Sequence, residues 1–118
     1  MNENGEYTVT FDPIDGSSVI DSNFSVGSVF GIWKTKDVIG STGRDLVGAA
    51  IACYGTRTTI VLYNAQVNNV EELTLMKIGN KEKWIVTNPN MVLGPKAKLF
   101  SFATKGIYDN PTLWKLYE

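Results

Sequence analysis

A chain of 118 residues with 43% hydrophobic and 19% charged side chains is long enough for one domain, and its composition excludes an intrinsically disordered segment. A formal charge of -1, from 11 basic and 12 acidic residues with no basic run, speaks against nucleic acid as a partner. The absence of histidine excludes His-based triads, imidazole bases and the usual zinc sites, and a single cysteine, Cys53, excludes an internal disulfide. No apolar run has the length that spans a bilayer, and the acidic Met1-Asn2-Glu3-Asn4-Gly5-Glu6 fits neither a signal peptide nor an Arg-rich transit peptide. An intracellular, reducing setting fits this cysteine usage.

Residues 7–11 alternate, are rich in β-formers and predict a strand that Asp12-Pro13 and Asp15-Gly16 bring to a stop. Residues 17–21 predict a short helical turn with Ser17 or Ser18 near its start. Residues 24–33 read as a strand carrying Gly27 and Gly31 on one side. Residues 42–55 predict a helix, because Leu46, Ala49, Ala50, Cys53 and Tyr54 recur at helical spacing and Gly55 is a natural stop. Residues 58–63, 72–78 and 83–87 predict strands, the last two joined through Gly79-Asn80. Residues 88–98 read as irregular and 99–102 as a short strand. Pro111 after Asn110 marks the N-terminus of a final helix. Strands dominate and helices intervene, so the expected class is mixed α/β.

The chemistry concentrates at Asp12-Pro13-Ile14-Asp15-Gly16-Ser17-Ser18. Two carboxylates three residues apart, with the Ile14 carbonyl between them, are hard oxygen donors suited to Mg²⁺, with Mn²⁺ as the alternative. Gly16 permits close backbone approach, and the N–H groups of Gly16, Ser17 and Ser18 lie where a helical turn begins, a favourable place for phosphate. Cation ligands beside an anion cradle are what metal-assisted hydrolysis of a phosphate ester needs. Asp-Pro and Asp-Gly are also ordinary turn formers, so the motif alone leaves a purely structural reading open. Aspartyl-phosphate phosphatases fail on spacing, since their two aspartates stand two apart rather than three.

Val9 to Ser18 resembles the signature of the lithium-sensitive, metal-dependent sugar phosphatases. The continuation Ser17-Ser18-Val19-Ile20-Asp21 and then Phe24 to Trp33 is similar to the fructose-bisphosphatase branch. Thr42-Gly43-Arg44-Asp45, Ala49-Ala50 and Tyr54-Gly55-Thr56-Arg57-Thr58-Thr59 resemble its sedoheptulose-1,7-bisphosphatase members more than its fructose-1,6-bisphosphatase members. The resemblance implies a layered α-β-α-β-α sugar phosphatase fold, of which residues 1–118 would form one middle segment, the catalytic domain extending past both ends. It implies Asp12, Ile14 (through its carbonyl) and Asp15 as metal ligands, and Asp15, Gly16, Ser17 and Ser18 as holders of the departing phosphate. It further implies hydrolysis of the 1-phosphate of a ketose bisphosphate, a sugar bisphosphate as small-molecule partner, no nucleic acid or membrane partner, a cytoplasmic or plastid setting, and a homo-oligomeric full-length protein. The water-activating groups and a glutamate pair are expected upstream, so no catalytic residue is assigned here, and Glu3 and Glu6 lie too close to the strand to replace that pair. Ser101-Phe102-Ala103-Thr104-Lys105 lacks the asparagine that the family offers to substrate nearby, so no residue is carried over there. The rival from another class is a catalytically incomplete segment or interaction module that keeps part of the fold.

Elsewhere the duller readings prevail. Cys53 is expected as a small core residue on the helix stripe, Arg44 and Asp45 as tethers of the helix start, and Arg57 as half of a structural ion pair. The three tryptophans are expected to pack, and the lysines at 81 and 83 to mark a charged hairpin tip.

Overall fold

The computed structural model describes residues 5–96 and 110–117. Its centre is one six-stranded antiparallel sheet in strict chain order: β1 (Thr8–Asp15), β2 (Val26–Trp33), β3 (Leu46–Tyr54), β4 (Thr59–Asn64), β5 (Asn69–Ile78) and β6 (Lys81–Asn88). Short 3₁₀ turns at Ser17–Ser22 and Gly43–Asp45 precede β2 and β3, and among the described residues a helix, α1 (Pro111–Tyr117), follows the sheet. The expected strand at residues 99–102 lies outside the described residues.

Two expectations need correcting. The first strand does not stop at Phe11 but continues through Pro13 to Asp15. Proline has no N–H for a ladder, yet among the described residues β1 is an edge strand with β2 on one side, and its register slips at this point. Edges and bulges are where a strand tolerates proline.

The second correction is larger. Residues 42–55 are not a helix: Gly43–Asp45 make one 3₁₀ turn, and Leu46–Tyr54 form a central strand. The turn is held by the Asp45 carboxylate, which accepts hydrogen bonds from the Thr42 amide at 2.7 Å and the Thr42 hydroxyl at 3.0 Å. Asp45 thus tethers a 3₁₀ turn ahead of a strand, not the start of the expected helix. Alanine's helical preference is worth only tenths of a kcal/mol, Gly48 in a helix interior costs about 1 kcal/mol, and tertiary pairing overrides both. The strand pairs along its length with β2 on one side and β4 on the other. What reads as a helical stripe is instead split between faces, with Ala49, Ile51 and Cys53 on one and Gly48, Ala50, Ala52 and Tyr54 on the other. Cys53 is accordingly exposed rather than part of a core.

The later elements follow the sequence reading. β5 and β6 turn through Gly79 at φ 62, and Asn110 caps α1 by accepting at Oδ1 from the amides of Thr112 (3.0 Å) and Leu113 (3.3 Å). Arg57 pairs with Glu72 at 3.0 Å. The same Nη2 lies 2.9 Å from the Thr74 hydroxyl, which is itself 3.0 Å from that of Thr87. This polar cluster ties the loop after β3 to β5 and β6.

The sheet stands largely uncovered. Among the described residues only Ser28, Gly48, Ala52 and Thr74 are buried, while Phe11 is 64% exposed and Phe24 71%.

Candidate functional site

Backbone register assembles the candidate site. Asp12 pairs with Val29 and Asp15 with Gly27, so three steps along β1 are matched by two along β2. One extra residue in β1 therefore makes a β-bulge. In an unbroken strand, residues three apart would point to opposite faces. Here Gly27 and Val29 are two apart and share a face, and cross-strand partners share a face as well. The bulge thus returns Asp12 and Asp15 to the same side of the sheet. Both are exposed there.

The bulge has its own hydrogen bonds. The Ile14 amide donates to Asp12 Oδ1 at 3.1 Å, which fixes the Asp12 carboxylate over the bulge and leaves its second oxygen for another partner. On the other face, Ser28 Oγ donates to the Pro13 carbonyl at 2.7 Å and lies 2.9 Å from the Tyr54 hydroxyl.

After Asp15 the chain swings away through Gly16, at φ 85 and ψ 19. L-residues seldom take this left-handed conformation, so the glycine is required by the turn. The Val19 amide donates to the Gly16 carbonyl at 3.0 Å as the first bond of the turn, so the amides of Gly16, Ser17 and Ser18 precede it and have no acceptor within the turn. Ser17 and Ser18 are exposed. Asn23, at φ 60, closes the turn and returns the chain to β2.

All six residues singled out by the sequence therefore fall in one continuous strand–bulge–turn segment beside the first half of β2. Gly27, the partner of Asp15, lies close against the backbone of β3, where Cys53 is the next residue across the sheet. Among the described residues no group of three or more His, Cys, Asp or Glu side chains is gathered for a metal. Sequence reasoning missed Ser28 and Tyr54. Nothing in their local spacing marks them, because only the register of β1, β2 and β3 sets them beneath the bulge.

The fold recurs in solved structures. Leishmania major fructose-1,6-bisphosphatase in holo form superposes with a TM-score of 0.72 at 34% identity, over 91% of this chain and 36% of that one. The sheet is therefore a layer of the α/β sugar phosphatase fold. In sequence, a family model described as the fructose-1,6-bisphosphatase N-terminal domain matches residues 1–89. Chloroplastic sedoheptulose-1,7-bisphosphatase of Triticum aestivum is 39% identical over 113 residues, which is 95% of this chain and 28% of the wheat protein. Cytosolic fructose-1,6-bisphosphatase of Oryza sativa subsp. indica is 37% identical, over 92% of this chain and 33% of its own length. The chain belongs to the fructose-1,6-bisphosphatase family, and it spans about a third of the length of these relatives.

Proposed function

We propose that this chain supplies part of the metal and phosphate site of a sugar-bisphosphate phosphatase, a phosphoric monoester hydrolase acting on the 1-phosphate of a ketose bisphosphate. The observation that carries the reading is the bulge, which turns Asp12 and Asp15 to one face immediately before the Gly16 turn. Asp12, Asp15 and the Ile14 carbonyl would hold a divalent cation, and Asp15 with the amides of Gly16, Ser17 and Ser18 would hold the departing phosphate. An all-oxygen donor set in a chain without histidine suits Mg²⁺ or Mn²⁺. Such an ion, when bound, polarises the phosphoryl group and offsets its charge. The chain's own contribution is to orient the phosphate by its backbone donors and to hold two acidic groups at a fixed separation.

Sedoheptulose-1,7-bisphosphate is the proposed substrate and fructose-1,6-bisphosphate the second choice, in line with the names of the wheat and rice relatives. Their identities to this chain, 39% and 37%, differ little, so phosphate release from each sugar by the complete protein is the deciding measurement. Asp15→Asn is expected to abolish turnover and weaken Mg²⁺ binding in that protein. Near-normal activity of the variant overturns the role given to Asp15.

The lack of a third acidic or thiol ligand among the described residues favours a companion reading, that these residues are not catalytically sufficient. The 118-residue chain on its own is then expected to release no phosphate from either sugar with Mg²⁺. Turnover by the purified chain refutes this.

A further inference from the structure

We propose that Ser28, oriented by Tyr54, is a positioning residue that sets the two carboxylates of the bulge for a divalent cation; this rests on the metal-site reading above. The Pro13 carbonyl and the Ile14 amide belong to one peptide plane, and no peptide bond among the described residues is cis. In a trans peptide the C=O and N–H point in opposite directions. The N–H donates to Asp12 Oδ1 at 3.1 Å on the carboxylate face, and the C=O accepts from Ser28 Oγ at 2.7 Å on the other. This one plane is thus pinned at both ends. Rotating it breaks both bonds at once, and turns the Asp12 carboxylate and the adjoining Ile14 carbonyl away.

The direction of the relay follows from proton counting. A carbonyl only accepts, so the single Ser28 proton goes to Pro13, and the proton in the 2.9 Å contact between Ser28 and Tyr54 comes from the tyrosine. Donation by Tyr54 polarises the serine hydroxyl and strengthens its bond to Pro13. Ser28 is 4% exposed, so water does not compete with it. Lying between Gly27 and Val29 in β2, it projects from the face opposite the carboxylates and acts through the backbone rather than as a ligand.

The test measures Mn²⁺ binding to the complete protein by electron paramagnetic resonance, with far-UV circular dichroism as the check on folding. Ser28→Ala is expected to weaken Mn²⁺ binding about tenfold or more, the range typical of groups that orient metal ligands. Ser28→Thr, which keeps the hydroxyl, is expected to restore it, and Tyr54→Phe to weaken it by a smaller factor. Asp12→Asn is the control. If Asp12→Asn loses Mn²⁺ while Ser28→Ala binds as the parent does, the positioning role is overturned and the metal site stands. If Asp12→Asn binds as the parent does, the metal reading falls and this proposal with it. Should Ser28→Ala fail to fold, Tyr54→Phe decides: parental binding in that variant refutes the relay.

Discussion

A Cβ on Gly27 would lie 2.5 Å from the Ala52 carbonyl oxygen, closer than Cβ atoms come to a backbone oxygen. Gly16 is the reverse case: its nearest neighbours to an added Cβ are at 3.8 Å, but its φ of 85 is unfavourable for any L-residue. Gly27→Ala must push β2 away from β3, an overpacking effect of about 1–3 kcal/mol. Gly16→Ala meets only the left-handed backbone cost of about 1–2 kcal/mol. Thermal unfolding of both variants is expected to show the larger loss at Gly27, and Mn²⁺ binding to suffer as well, since Gly27 is the partner of Asp15. Asp45 supplies a pH effect. Its hydrogen bonds from the Thr42 amide, then from the Thr42 hydroxyl, hold its carboxyl below the ordinary 3.8. A depressed folded-state pKa adds stability that is complete above the unfolded value and is lost as pH falls through the folded one. An NMR titration of the Asp45 carboxyl is expected to give a midpoint below 3.8, moving up only part of the way in Thr42→Val, which removes the hydroxyl donor and keeps the amide. The group is fully exposed, so the effect on overall stability is small.

At the scale of elements, the central strand β3 is where local reading and structure part company. Its alanines and its spacing suit a helix, but a strand between two others gains ladders on both sides, which an isolated propensity does not count. Native-state hydrogen exchange is expected to find slow exchange in β3 amides with an alternating pattern absent, as both edges are bonded, whereas the outer side of β1 exchanges fast. Rapid exchange across residues 46–54 would contradict the central placement. The Arg57 cluster makes a second element-level case. The Arg57 side chain is 57% exposed, so its ion pair with Glu72 contributes little. Thr74 is 4% exposed and meets both Arg57 and Thr87, so its hydroxyl matters more. Thr74→Val is expected to cost about 1 kcal/mol in denaturant unfolding. Glu72→Gln is expected to cost less. The reverse order would show that charge, not the buried hydroxyl, ties β5 to β6.

At the scale of the molecule, the accessible surface is 10157 Å², where a compact 13.0 kDa chain would leave about 6300 Å². A single sheet with Phe11 at 64% and Ile51 at 55% exposure cannot bury its apolar side chains by itself. The chain on its own is therefore expected to bind a hydrophobic dye such as ANS and to self-associate, and a sharp, dye-silent monomeric melt would contradict this. Much of the rest was legible. The hairpin at Gly79, the cap at Asn110 and the Gly16 turn after Asp15 all rest on contacts within a few residues, or on turn chemistry that local sequence encodes. The path of Pro13 within a strand, the strand at residues 46–54 and the relay from Tyr54 through Ser28 were not legible. Each depends on which strand lies beside which, and in what register. The amino-acid order thus chose the acidic residues and the glycine that frees the turn after them. Only the pairing of β1 with β2, one residue out of step, decided that Asp12 and Asp15 face the same way, because a period-two ribbon separates residues three apart unless a bulge restores them.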